Sequence, residues 1–175
     1  TAGGIATALP LLGDEAFLVV NGDVYCDWDF NRARQLTGKT AHLVMVTNPA
    51  HHSGGDFSLD GERVVYTNAE QTFTYAGIGI FSPSFFANVT PGTIMKLRPL
   101  LDAAIAAGTL TGERHDGRWV DVGTPQRLAE LDLELRDREL KIHEPRPLSC
   151  PPPALAENHS IRHRHRADCP GSHPQ

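Results

Sequence analysis

The sequence is short of cysteine, tryptophan and methionine, with three, two and two of them in 175 residues. Three cysteines, Cys26, Cys150 and Cys169, make no small-domain disulfide framework, so a reducing cytoplasm is the expected location. Long apolar runs are missing too, and none approaches the roughly 20 residues that a membrane-spanning helix needs. Positive charge is in deficit. Sixteen Lys and Arg against 21 Asp and Glu leave a net charge of −5, which argues against a nucleic-acid surface over most of the chain. What remains is ordinary: 40% hydrophobic and 21% charged residues, at a length that suits one α/β domain with a real core.

The stretch that organises the chain is Phe17-Leu-Val-Val-Asn-Gly-Asp23. Phe17 to Val20 is a short apolar run of buried-strand character, and Asn21-Gly22-Asp23 ends it with a polar turn. In open α/β sheets ligands sit just beyond the carboxyl ends of strands. A carboxylate there can hold a hard divalent cation, which is useful where phosphates are bound. Asp23 is therefore a candidate for chemistry. A plain strand-to-loop turn, with Asp23 bonding only nearby backbone, is the competing reading.

Before that strand, Gly3 and Gly4 permit a close backbone approach or positive φ and read as a glycine turn running into a short helix from Ile5 to Leu12. After it, Asp29 suits the cap of a helix over Asn31 to Leu36 that Gly38 ends. Ala41 to Val46 is a second apolar strand, closed by Asn48-Pro49 and a loop with His51 and His52. Asp56 to Tyr66 reads as a β-hairpin turning at Asp60-Gly61. Thr72 to Phe81 is a further strand, with Gly77 inside it marking a bulge or a close approach. Pro99 starts a helix to about Ala107. Leu110 to Val122 reads as two short strands turning at Asp116-Gly117, the second carrying Asp121. Thr124 and Pro125 then begin a helix to about Lys141, with Leu128, Leu131 and Leu135 on one face. Domain 1–142 is expected to fold. Residues 143–175, rich in Pro, His and Arg, are expected to be a disordered tail whose Cys150, His159, His163, His165 and Cys169 lack paired metal-ligand spacing.

Five stretches taken in order resemble one family. They are Thr1-Ala-Gly-Gly-Ile, Phe17-Leu-Val-Val-Asn-Gly-Asp-Val, Asn48-Pro-Ala-His-His-Ser-Gly-Gly-Asp-Phe57, Phe73-Thr-Tyr-Ala-Gly-Ile-Gly-Ile-Phe81 and Trp119-Val-Asp-Val-Gly-Thr124. Together they are similar to the sugar-1-phosphate nucleotidyltransferases over about residues 1 to 140, and the Asn-Pro-x-His-His stretch leans toward the muramate-type branch. The resemblance implies an α/β fold, a dinucleotide-fold-like mixed sheet flanked by helices. It implies that Asp23 and Asp121 meet around one or two Mg²⁺ ions. It assigns Asn21, Asp56 and Gly77 to the sugar phosphate, and Gly3 and Gly4 to the nucleobase. The substrates it implies are UTP and a sugar 1-phosphate, with a uridylyl group transferred and pyrophosphate released. No part for His51 and His52 follows from it.

The family also opens with an apolar strand, a glycine-rich loop carrying Arg, and a Pro-Lys-Pro segment. None of these is in this sequence, so an N-terminally truncated domain lacking a βαβ portion is expected, with exposed strand edges and negligible turnover on its own. Three other readings compete. Glucose or mannose 1-phosphate could be the sugar; the chain could be a non-catalytic sugar-phosphate-binding subunit; or Asp27-Trp28-Asp29 could be the metal motif of a nucleotide-sugar glycosyltransferase.

Overall fold

The computed structural model describes residues 1–37, 39–66 and 71–143. The expected tail lies outside them from residue 144 onward, as does the expected helix end at Gly38. The helices are α1 (Ala2–Leu12), α2 (Arg98–Ala106) and α3 (Pro125–His143). The strands are β1 (Phe17–Val20), β2 (Val24–Cys26), β3 (Ala41–Val46), β4 (Ser58–Asp60), β5 (Arg63–Val65), β6 (Thr74–Phe81), β7 (Leu110–Arg114) and β8 (Trp119–Asp121). Six strands form one sheet in the order β1-β6-β3-β7-β5-β4, and β2 with β8 forms a separate two-stranded ribbon. Strands β3 and β7 run parallel while β1, β3 and β6 pair antiparallel, so the sheet is mixed as expected.

The two central strands explain their own composition. All six residues of β3 are buried, and in β6 only Tyr75 is not. A strand covered on both faces has no reason to alternate apolar with polar. On one face Leu43, Met45 and Phe81 pack with Ala2 and Ala6 of α1, Phe86, and Leu101 and Ile105 of α2. On the other, Val44, Val46, Ile78 and Ile80 pack with Trp28, joined by Trp119 and Leu36. Each of these large side chains contributes about 1.5–3 kcal/mol by leaving water. Strand β1 forms one edge of the sheet, with Leu18 and Val20 36% and 43% exposed.

One expectation needs correction. Gly3 and Gly4 are not a turn: the helix begins at Ala2 and runs through both. Gly3 is buried, and a Cβ there would overlap the Thr93 carbonyl oxygen, so the missing side chain serves helix-to-loop packing. Residues 110–122 form two short strands, as expected, but these do not pair with each other. Strand β7 joins the main sheet beside β3, whereas β8 leaves it to pair with β2, so Asp116-Gly117 is a crossing between sheets. On the leucine face of α3, Leu131 is buried, Leu135 is half-buried and Leu128 is 54% exposed. The 3.6-residue pattern identified the helix without identifying what it packs on. Smaller adjustments concern boundaries: Asp29 caps a 3-10 turn at Phe30–Gln35 instead of an α-helix, and its carboxylate accepts from the Asn31 N–H at 3.0 Å.

Candidate active site

Strand β1 delivers Asn21 to the end of the sheet, beside β6. The Asn21 N–H donates to the Gly77 carbonyl at 2.8 Å, fixing the turn against β6. Gly77 has φ +74°, and a Cβ on it would stand 2.7 Å from Asn21 Nδ2. Glycine is required there twice, for the backbone and for the room that Asn21 fills. The space above Gly77 that the resemblance assigns to a sugar is thus shared with the Asn21 amide.

The ribbon brings the two candidate aspartates together. Val24 of β2 lies opposite Asp121 of β8, and the Val122 N–H donates to the Asp23 carbonyl at 2.8 Å. Gly123 sits between the carboxylates: a Cβ there would be 2.9 Å from Asp121 Oδ1 and 3.3 Å from Asp23 Oδ2. The pair therefore faces a space that a side chain would close.

The two carboxylates are held very differently. Asp121 Oδ1 accepts from the Gly123 N–H at 2.8 Å and from Arg127 Nη2 at 3.2 Å, and its Oδ2 lies 3.3 Å from His51 Nε2. Among the described residues the Asp23 carboxylate has no hydrogen-bond or ion-pair partner. One oriented carboxylate beside one open carboxylate suits a hard cation that takes one or two protein oxygens and leaves positions for phosphate. The donor set and the gap at Gly123 fit Mg²⁺.

These residues line a cleft of about 350 Å³ with Asn21, Asp23, Gly77 and Asp121 in its wall, together with His51 and His52. A second cleft of about 460 Å³ adjoins it, sharing His51, Trp119 and Asp121 and adding Arg127 and Glu130. Two neighbouring hollows meeting at Asp121 give room for two phosphate-bearing substrates.

Asp56 stands one step away. Its Oδ2 accepts from the Tyr75 N–H at 2.9 Å, and its Oδ1 lies 3.2 Å from His52 Nε2. It lines an adjoining hollow of about 230 Å³ with Tyr75 and Arg98, and Tyr75 also borders the Asp23 cleft. Burial pushes the Tyr75 phenol well up, so it remains protonated. Gly3 and Gly4 border neither hollow.

Asn48 explains the shape of the loop that carries the histidines. Its amide donates to the Ser53 carbonyl at 3.1 Å and to Thr72 Oγ1 at 2.8 Å, and its oxygen accepts from Thr74 Oγ1 at 2.9 Å. Gly55, with φ +64°, lets the chain turn directly over that amide. The loop thus aims His51 at Asp121 and His52 at Asp56. Neither partnership, nor that of Arg127, is assigned by the sequence. Arg127 is six residues past Asp121 and reaches it because Thr124 caps α3, its Oγ1 accepting from the Arg127 N–H at 3.3 Å. The alternative metal motif is not assembled here: Asp29 serves as a cap, Asp27 bonds His115, and neither borders the cleft.

Comparison with known proteins places relatives beside the chain. No protein-family model matches the chain. Over 137 residues it is 44% identical to N-acetylmuramate alpha-1-phosphate uridylyltransferase of Neisseria meningitidis, covering 74% of this chain and 59% of that protein. It is 29% identical to the mannose-1-phosphate guanylyltransferase catalytic subunit beta of Dictyostelium discoideum, over 82% of this chain and 44% of the relative. The chain thus spans about half to three-fifths of the length of these relatives. In fold it is similar to a protein assigned as a glucose-1-phosphate thymidylyltransferase from Bacillus anthracis, with a TM-score of 0.64 at 15% identity over 78% of this chain and 61% of the other. Over the residues it shares with them, the chain is similar to sugar-1-phosphate nucleotidyltransferases in sequence and in fold.

Proposed function

We propose that the protein carrying this sequence transfers a uridylyl group from UTP to a sugar 1-phosphate, N-acetylmuramate 1-phosphate above others, releasing pyrophosphate. The observation that carries the proposal is the meeting of Asp23 and Asp121 across Gly123 at the junction of two clefts. The choice of sugar and nucleotide rests on the higher identity to the uridylyltransferase, 44% against 29% for the guanylyltransferase. In the reaction an oxygen of the sugar phosphate attacks the α-phosphorus of UTP. The bond from that phosphorus to its bridging oxygen breaks, and pyrophosphate leaves with the electron pair.

Asp23 and Asp121 would hold Mg²⁺, which when bound neutralises phosphate charge as the two anions approach. Arg127 and His51 keep Asp121 in one orientation. Asn21, fixed over Gly77, offers an amide donor and acceptor to a sugar or phosphate oxygen in the cleft. Asp56, oriented by the Tyr75 N–H and His52, can accept from sugar hydroxyl or amide groups. Gly3, packed on the Thr93 carbonyl, and Gly4, exposed on α1, keep the nucleobase role that the resemblance assigns them. The setting this reading implies is cell-wall sugar recycling in a bacterial cytoplasm.

The test is pyrophosphate release from UTP. The chain would be assayed alone and fused to the part of the meningococcal relative outside the match. N-acetylmuramate, glucose and mannose 1-phosphates would each be supplied, with Mg²⁺ present or chelated. Release is expected from the fusion with the muramate sugar and only with Mg²⁺. Release with glucose or mannose 1-phosphate alone would keep the chemistry and change the branch. Silence with every sugar would turn the account to a binding subunit.

A further inference from the structure

The ribbon has a second end. Asp121 pairs with Val24 at one end, and Cys26 pairs with Trp119 at the other. There Cys26, Asp27 and His115 bring a sulfur, a carboxylate oxygen and an imidazole nitrogen within 4.8 Å of one another. None of the three borders the cleft that holds Asp23. We propose that Cys26, Asp27 and His115 form a second cation site, for a borderline-soft divalent ion of the zinc kind.

Four features of the structure argue for a built site. His115 Nε2 and Asp27 Oδ1 are hydrogen-bonded at 2.8 Å, so two potential ligands already stand side by side and an arriving ion would replace the shared proton. Both backbones are tied down: the His115 N–H donates to the Met45 carbonyl at 2.8 Å and the Asp27 N–H to the Arg118 carbonyl at 3.1 Å. The Trp28 N–H points at Cys26 Sγ at 3.4 Å, an outer contact that stabilises sulfur carrying negative charge. Gly117 lets both side chains come together over the turn, since a Cβ there would stand 2.5 Å from His115 Cε1 and overlap the Asp27 carboxylate.

The donor chemistry selects the ion. Zinc takes thiolate, imidazole and carboxylate at about 2.0–2.3 Å in a tetrahedron, and three protein donors leave a fourth position for water. A thiolate is a poor ligand for Mg²⁺, so this site and the Asp23–Asp121 pair would not compete for one metal. Burial pushes the Cys26 thiol up, and metal binding would displace its proton. A bound ion would clamp the chain between β7 and β8 to the end of β2, holding the ribbon whose opposite end carries the two aspartates.

The experiment is a Co²⁺ titration of the full 175-residue chain with Cys150 and Cys169 both replaced by Ser, which leaves Cys26 as the one thiol. The expected result is a near-ultraviolet sulfur-to-cobalt band that saturates at one equivalent and is bleached by Zn²⁺. Cys26→Ser should abolish the band, and His115→Ala should weaken binding at least about tenfold. Gly117→Ala keeps every donor but displaces His115 and Asp27, so it should weaken binding as well; circular dichroism checks that each variant is folded. No band in the parent, a band that survives Cys26→Ser, or unchanged affinity in both His115→Ala and Gly117→Ala would overturn the proposal. None of these readouts depends on transferase activity.

Discussion

Gly123→Ala is the most discriminating single change at the candidate active site. Gly123 is exposed, and its backbone is not in the left-handed region, so alanine is conformationally allowed. The new Cβ would nevertheless stand 2.9 Å from Asp121 Oδ1 and 3.3 Å from Asp23 Oδ2. Ordinary contact needs the nearer oxygen to retreat by about half an ångström, given van der Waals optima of roughly 3.5–4.0 Å. Asp121 cannot retreat freely, because the Gly123 N–H, Arg127 and His51 all hold it. A misplacement of about 1 Å costs on the order of 10²-fold in rate, so half of that costs about tenfold, or about 1.4 kcal/mol of barrier. Stability should barely move. The Arg127–Asp121 pair is about a quarter exposed on each side and would lose under about 1 kcal/mol, while Gly→Ala returns about 0.4–1 kcal/mol through the unfolded chain. The assays are Mn²⁺ affinity by electron paramagnetic resonance, pyrophosphate release by the fused protein, and urea unfolding. Unchanged metal affinity and rate would refute the convergence of the two carboxylates at Gly123.

Three further outcomes follow from the same contacts. Gly77→Ala should destabilise by about 1–3 kcal/mol, from the positive φ and the displaced Asn21 amide, and thermal unfolding would show it. Gly3→Ala and Gly4→Ala should have opposite signs in urea unfolding: the first drives a methyl into the Thr93 carbonyl, while the second gains about 0.5–1 kcal/mol of helix propensity and meets only the exposed Thr1 hydroxyl, at 3.0 Å. Two equal effects would restore the turn in place of the helix. His42 is 2% exposed, and burial holds its imidazole below its ordinary value, with Glu113 opposing weakly. The unfolded chain therefore binds the proton first, so the His42 contribution is complete above about pH 6.5 and is lost as pH falls below that value. His42→Gln should flatten the stability profile between pH 5 and 7, and an unchanged slope would count against a buried neutral ring.

The fold was legible wherever one local pattern decided the matter. The apolar runs at β1, β3 and β6, the Asp60-Gly61 turn and the Thr124-Pro125 helix start all announce themselves within a few residues. Asp23 and Asp121 were legible as aspartates at strand ends, and the resemblance paired them. Their proximity depends on the β2–β8 ribbon, which no local pattern reveals, because Asp116-Gly117 reads as well for a hairpin as for a crossing between sheets. His51 and Arg127 were not legible as partners of Asp121, since both contacts are made by tertiary placement of a loop and a helix start. Gly3 was misread for a related reason. A glycine that permits a close approach inside a helix looks the same in sequence as one that makes a turn.

The central claim is that Asp23 and Asp121 act as one metal-holding pair. The most direct measurement compares Mg²⁺-dependent pyrophosphate release by the fused protein with Asp23→Asn, Asp121→Asn and the Asp29→Asn control. The account predicts that each of the first two variants loses at least about 10²-fold, that the double variant loses little more than either alone, and that Asp29→Asn retains nearly full activity. Independent losses that multiply in the double variant, or a loss at Asp29 as large as at Asp23, would contradict it.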